Sequence, residues 1–321
     1  MTILVTGAAG FIGSYVCRAL AARGESVVGL DNFNDYYDPQ IKRDRVAAIC
    51  PGVRIAEVNL ADAAAIKSLF AEVRPDRVIH LAAQAGVRYS ISNPNVYADS
   101  NLTGFTNILE ACRHGGVKHL VYASSSSVYG GNAVPPFSES QRIDQPLSFY
   151  AATKAANELM AHTYAHLYQL PTTGLRFFTV YGAWGRPDMA PVLFSRAVLA
   201  GRAIEVFNHG KMRRDFTHID DIVAGVIGAL ENPSTDAKPH QVFNLGNHTP
   251  VELERFIAVI EQAAGKPAQK IYKELQPGDM VETMADTTRA QAAFGFDPSS
   301  SIEQKLPEVV AWCRDYFGDK A

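Results

Sequence analysis

Apolar residues in the first 180 positions gather into short runs separated by stretches of helical periodicity. The runs at 3–6, 27–30, 53–58, 78–81, 120–123 and 173–177 have strand length, and their alternation with helical segments predicts successive βα units. Strands of this kind lie in a parallel sheet buried on both faces. Between them, Leu102, Phe105, Ile108, Leu109 and Cys112 recur three and four apart, so one helix there carries an apolar stripe facing core or a subunit interface.

Beyond about residue 180 the rhythm loosens, with Gly182, Gly185, Pro187 and Pro191 in quick succession. The predicted division is therefore 1–180 and a smaller α/β unit over 181–321, with the chain crossing back to the first unit around 217–250. Thr249-Pro-Val-Glu252 combines a hydroxyl cap, a proline at the first helical position and a glutamate able to bond back, which predicts a helix over 250–264. Leu306, Val309, Val310, Trp312 and Phe317 predict a docked amphipathic helix at the C-terminus.

Composition narrows the functional classes. The 321 residues include 30 basic and 33 acidic ones, a net charge of −3, which provides no broad cationic surface for nucleic acid or anionic lipid. No run of 18 apolar residues and no leader pattern occurs, so a cytoplasmic protein without a membrane span is expected. Cys17, Cys50, Cys112 and Cys313 are far apart and read as buried thiols. No histidine stands at metal-ligand spacing, and His80, His162, His166 and His218 are not assigned to a metal.

The first strand runs directly into Gly7-Ala-Ala-Gly10-Phe-Ile-Gly13, and a helical pattern follows through Val16 and Leu20. A glycine turn between strand and helix lets backbone N–H groups approach a pyrophosphate, with the helix N-terminus adding positive potential. The second strand ends at Asp31, where a carboxylate accepts from an adenosine ribose 2′-hydroxyl and repels a 2′-phosphate, favouring NAD over NADP. Lys42 and Arg43 lie too far along the chain to be assigned as a phosphate clamp. The expected fold is a Rossmann-type doubly wound α/β sheet.

Tyr150-Ala-Ala-Thr-Lys154 opens a further helical segment, and a separation of four puts both side chains on one face. An ammonium there favours the phenolate anion and lowers the tyrosine pKa. The serine run Ser124–Ser127 ends the strand before it, at the edge where open α/β sheets bind ligands.

The GxxGxxG turn, the strand-end serines and the YxxxK pair together resemble the extended short-chain dehydrogenase/reductase superfamily. The resemblance narrows to nucleotide-sugar 4-epimerases, and most closely to UDP-glucuronate 4-epimerases. It is carried by Asp31-Asn-Phe-Asn-Asp-Tyr-Tyr-Asp38, His80-Leu-Ala-Ala-Gln84-Ala-Gly-Val-Arg88, Ser124-Ser-Ser-Ser-Val-Tyr-Gly130, Arg176-Phe-Phe-Thr179-Val-Tyr-Gly182 and Arg213-Arg-Asp-Phe-Thr-His-Ile-Asp-Asp221. It implies that Ser125 orients the substrate hydroxyl, Tyr150 moves its proton and Lys154 holds the nicotinamide ribose. It implies cofactor contacts at Gly7, Gly10, Phe11, Ile12, Gly13, Asp31, Asn32, Asn59, Leu60, Leu81, Ala82 and Ala83. Asn59 departs from the aspartate usual there, and an amide still hydrogen-bonds. Arg88, Ser126, Ser127, Thr179, Arg186, Arg214 and Asp279 are the implied contacts to a UDP-sugar, and a homodimer is implied through helices near 102–114 and 150–168.

The same resemblance implies a cycle in which the sugar C4 is oxidised by NAD to a ketone, the intermediate turns about its diphosphate, and hydride returns to the other face. Thr179 stands where glucose-type epimerases carry asparagine. With Ser126, Ser127 and Arg186 it could surround a uronate carboxylate, although Asp188 is also within reach of Arg186. Related dehydratases and decarboxylases place an acid where this chain has Ser127, so those activities are disfavoured. A UDP-hexose or UDP-N-acetylhexosamine 4-epimerase is the alternative within the family, and a non-catalytic NAD sensor the alternative outside it.

Overall fold

The computed structural model describes residues 1–132, 134–276 and 278–318. Seven strands, β1 (Thr2–Thr6), β2 (Ser26–Asp31), β3 (Arg54–Glu57), β4 (Arg77–His80), β5 (His119–Ser125), β6 (Thr172–Phe177) and β10 (His240–Leu245), form one sheet in the order β10-β6-β5-β4-β1-β2-β3. All its pairings are parallel. The six runs read as strands in the sequence each coincide with one of them. The chain reverses its lateral direction at β1, so β2 and β4 flank that strand and the carboxyl ends of β1 and β4 diverge into a crevice.

Helices bury both faces of this sheet. On one, α1 (Phe11–Ala22) packs against the helix Ile219–Glu231, and Val16, Leu20, Ile222 and Val226 meet Ile3, Val5 and Val121. On the other, α3 (Ala63–Val73) and the helices Gly104–Gly115 and Phe149–Tyr168 bring Ile66, Phe70, Phe105, Ile108 and Leu109 against Leu4, Val78 and Leu120. The apolar stripe of Gly104–Gly115 is thus core. Residues 219–245 return to the large sheet, since β10 is its edge strand beside β6.

The remaining strands form two small sheets beside the crevice. β7 (Thr179–Tyr181), β9 (Arg213–His218) and β11 (Pro250–Glu252) form one, and β8 (Ala203–Val206) with β12 (Gln269–Tyr272) the other. Their core stacks Phe216 on Phe256 at 4.2 Å and buries Leu306, Val309 and Val310 of the C-terminal helix Ile302–Phe317. The helix expected over 250–264 begins only at Leu253, without a side-chain cap. Pro250–Glu252 instead pairs antiparallel with Arg213–Asp215, and this tertiary pairing overrides the local capping signal. Proline is tolerated because it is the first residue of an edge strand.

Asp215 joins these pieces. Fully buried on β9, its carboxylate accepts from the backbone N–H of Asn247 at 2.5 Å, Ala285 at 2.9 Å and His248 at 3.1 Å, and from the Thr217 hydroxyl at 3.2 Å. Asp215→Ala leaves the buried Ala285 amide and the part-buried Asn247 and His248 amides without this acceptor, at roughly 1–3 kcal/mol for each that water cannot reach. Urea titration should show a loss of about 3 kcal/mol or more in unfolding free energy. A loss below about 1 kcal/mol would show that this carboxylate does not hold the three segments together.

Candidate active site

The glycine turn is fixed by close contact. Gly7 has φ +70°, a conformation that costs glycine little, and a Cβ on Gly13 would sit 2.0 Å from the Gly7 carbonyl oxygen. Only glycine at 13 therefore lets α1 begin so near the end of β1. Gly10 precedes that helix without a side-chain cap, leaving the first-turn residues Phe11, Ile12 and Gly13 to line the crevice. A cradle closed to any Cβ, at a helix N-terminus, fits the pyrophosphate of a dinucleotide.

Asp31 stands at the end of β2, almost buried, with Oδ2 accepting from Ala9 N–H at 3.2 Å and Oδ1 from Phe33 N–H at 2.9 Å. The carboxylate is therefore oriented before any ligand arrives. Lys42, set aside in the sequence as too distant, is brought back by α2 (Pro39–Ile49). It lines the crevice with its Nζ 3.6 Å from Asp31 Oδ1 and donates to Asn34 Oδ1 at 2.8 Å. Across the switch point, the Thr6 hydroxyl accepts from Ala82 N–H at 3.2 Å and bonds His80 Nδ1 at 2.8 Å, tying β1 to β4. Burial, helped by the charge of Lys154, pushes the His80 imidazolium down to about 3, so the ring is a neutral structural element.

The helix Phe149–Tyr168 faces the other side of the crevice. Its start is capped by Ser148, whose Oγ accepts from Ala151 N–H at 3.1 Å, and this places Tyr150 and Lys154 in the first two turns. The Ser125 hydroxyl at the end of β5 donates to Ser127 Oγ at 3.2 Å, accepts from Ser127 N–H at 3.2 Å and lines the crevice with Tyr150. Burial raises the Tyr150 phenol above its ordinary range, while the Ser125 hydroxyl and the charge of Arg186 act to lower it. Helical spacing assigns that tuning role to Lys154; in the structure Lys154 Nζ donates to the Ala123 carbonyl at 2.9 Å, and Arg186 is a further cation whose charge acts on the phenol. Burial brings the lysine itself down to about 8, so it remains mostly charged at neutral pH.

Two supports were not legible in the sequence. Asn101 lies in the wide helical turn Ala98–Thr103. Its amide donates to Gln84 O and Thr153 Oγ1, both at 3.1 Å, while its Oδ1 accepts from Gln84 N–H at 2.8 Å. It thereby locks the loop after β4 to the helix carrying Tyr150. Beneath the serines, Glu158 accepts from Ser124 Oγ at 2.5 Å and from both Nε and Nη2 of buried Arg176, at 2.9 and 2.7 Å. A paired buried ion of this kind fixes geometry where a lone charge would be costly.

All the site residues singled out in the sequence line one crevice of about 1070 Å³: the glycine turn, Asp31, Asn32, Asn59, Leu60, Leu81, Ala82, Ala83, Ser125–Ser127, Tyr150, Lys154, Thr179, Arg88, Arg186, Arg214 and Asp279. Arg186 grips Asp188 with two bonds, Nε to Oδ1 at 3.1 Å and Nη2 to Oδ2 at 2.5 Å. The Tyr36 hydroxyl donates to the same Oδ2 at 2.9 Å. Arg88 pairs with Asp279 at 2.9 Å and packs over Phe207, whereas Arg214 forms no ion pair among the described residues. Arg213 pairs outward with Glu282. Among the described residues no group of three His, Cys, Asp or Glu could hold a metal ion, and no helix is long and apolar enough to cross a membrane.

Comparison with known proteins places this geometry. Residues 3–246 match the model of the NAD dependent epimerase/dehydratase family. UDP-glucuronate 4-epimerase 3 of Arabidopsis thaliana is 48% identical over 337 residues, covering 100% of this chain and 78% of that protein. The crystal structure of UDP-glucuronic acid 4-epimerase from Bacillus cereus, in complex with UDP-glucuronic acid and NAD, superposes with a TM-score of 0.91 at 32% identity, covering 98% of this chain and 99% of that one. UDP-glucose 4-epimerase from Thermotoga maritima, with UDP-glucose, gives 0.89 at 30% identity, with 98% and 99% covered. This chain belongs to the NAD dependent epimerase/dehydratase family.

Proposed function

We propose that the protein is an NAD-dependent isomerase that interconverts UDP-glucuronate and UDP-galacturonate at C4. The observation that carries the substrate choice is that Arg186 already holds a carboxylate, that of Asp188, by a two-pronged contact beside Tyr150. A guanidinium in that place and posture suits the carboxylate of a uronic acid, with Ser126, Ser127 and Thr179 adding hydroxyl donors. The relatives named for UDP-glucuronate, covering essentially the whole chain, support the same substrate.

NAD, when bound, supplies a reversible acceptor for hydride from C4. The chain's residues do the rest. Ser125 orients the 4-hydroxyl and Tyr150, as phenolate, removes its proton, which drives C4 toward a ketone. Lys154 keeps a positive charge beside the helix start and holds the nicotinamide ribose. Arg214, which makes no close ion pair among the described residues although the charge of Asp279 acts on it, anchors the diphosphate while the sugar turns, and Arg88 with Asp279 steadies the uridine end. A 4-ketone makes the uronate a β-keto acid, prone to lose carbon dioxide. Fixed hydrogen bonds from Thr179 and the serines keep the breaking bond out of line with the carbonyl π system.

Residues 1–180 together with about 217–250 we read as the cofactor-binding domain, and the two small sheets as the nucleotide-sugar domain. We further propose a homodimer through the helix Phe149–Tyr168, whose Leu159 and Leu167 are 67% and 58% exposed. A cytoplasmic location is supported by four free, buried thiols.

Incubation with UDP-glucuronate, followed by NMR, should yield UDP-galacturonate; a UDP-pentose product, or turnover of UDP-glucose alone, would reject the assignment. Tyr150→Phe should lower turnover by about 10²-fold or more without unfolding the protein, and full retention of rate would remove Tyr150 as the base.

Arg186→Met removes a charge that lowers the Tyr150 pKa, so the phenol titrates higher. Because the phenolate is the working form, the limb of the rate profile that rises with pH should move to higher pH. Below it the rate falls about tenfold per unit. Arg186→Lys should leave the limb in place. An unmoved limb in the Met variant would deny the electrostatic link, and equal loss of UDP-glucose and UDP-glucuronate binding would deny the carboxylate contact.

A further inference from the structure

Lys42 is an unexpected neighbour for a neutral ribose. It is only 5% exposed, on the first turns of α2, with the Tyr37 ring 5.4 Å from its Nζ. Its polar partners are Asn34 Oδ1 at 2.8 Å and Asp31 Oδ1 at 3.6 Å. A buried ammonium is costly unless an anion compensates it. Asp31 is the carboxylate within reach, and that carboxylate is held in place by the Ala9 and Phe33 amides rather than by the lysine. Arg43, next along the helix, is directed elsewhere: it stacks on Phe33 at 4.5 Å and approaches Glu57 at 3.6 Å.

We propose that Lys42 is a cofactor-selectivity residue: a masked cation able to receive the 2′-phosphate of NADP, kept from doing so by Asp31. Asp31 then selects the unphosphorylated dinucleotide in two ways, by repelling the phosphate and by neutralising the lysine that would bind it. This rests on the reading of the crevice as a dinucleotide site with its adenosine ribose at Asp31. Asp31→Asn removes the charge, keeps an amide oxygen for one of the two backbone anchors, which donate to different oxygens of Asp31, and leaves Lys42 free for a charge-assisted bond to phosphate.

The test is binding rather than turnover. Wild-type protein stripped of nucleotide, Asp31→Asn, Lys42→Gln and the double variant are titrated with NADH and NADPH by nucleotide fluorescence. Asp31→Asn should shift the affinity ratio toward NADPH by about tenfold or more, and adding Lys42→Gln should reverse most of that shift. Lys42→Gln alone, with Asp31 intact, should move the ratio further toward NADH. Equal NADPH affinity in Asp31→Asn and the double variant would overturn the proposal. An unchanged ratio in Lys42→Gln would overturn it too, and that arm decides alone if Asp31→Asn does not fold. Wild type binding neither nucleotide would instead remove the dinucleotide reading itself.

Discussion

The structure depends on one close approach: the first turn of α1 lies against the Gly7 carbonyl so tightly that residue 13 can carry no side chain. Helix, turn and strand are thereby set at a distance that gives backbone N–H groups access to the crevice, and no larger residue could restore it. The carboxyl edge of the sheet then acts as a rigid rim. Asp31 rises from β2, the serines from β5, and Tyr150 and Lys154 reach in from a helix that packs on the same sheet.

Rigidity on that rim is maintained by buried polar groups as much as by apolar packing. Thr6 links β1 to β4, Asn101 links the loop after β4 to the tyrosine helix, and Glu158 with Arg176 braces the serine strand from below. Each network has few alternative arrangements, even where Arg176 leaves one buried guanidinium nitrogen unpaired, so each limits how far a side chain of the crevice can drift. The rest of the crevice is looser in kind: its charged groups, Arg186 with Asp188 and Arg88 with Asp279, are pairs that a bound anion can compete for.

The large sheet was legible because strands buried on both faces leave near-continuous apolar runs, and because a glycine turn between strand and helix has few other uses. The site residues were legible only as a set: a tyrosine and lysine four apart mean little until strand-end serines and a phosphate turn precede them. Local signals failed where tertiary pairing decided the outcome. Thr249-Pro-Val-Glu252 reads as a helix start, yet Pro250–Glu252 joins a sheet formed with residues nearly forty positions earlier. Lys42 is set aside and Asn101 goes unread in the sequence for a related reason, since α2 folds the one into the crevice and a widened helical turn buries the other beside it without any periodic mark. Helical spacing shows that Tyr150 and Lys154 share a face, but it cannot show that Lys154 donates to the Ala123 carbonyl or that the charge of Arg186 also acts on the phenol.

The proposed reaction requires a transient oxidation at one sugar carbon, with the removed hydrogen kept inside the crevice. UDP-glucuronate deuterated at C4 tests this most directly. The epimer formed should carry its deuterium still at C4 after complete turnover in ordinary water. Loss of that deuterium to solvent would contradict the account, because it would mean that the hydrogen leaves as an exchangeable proton.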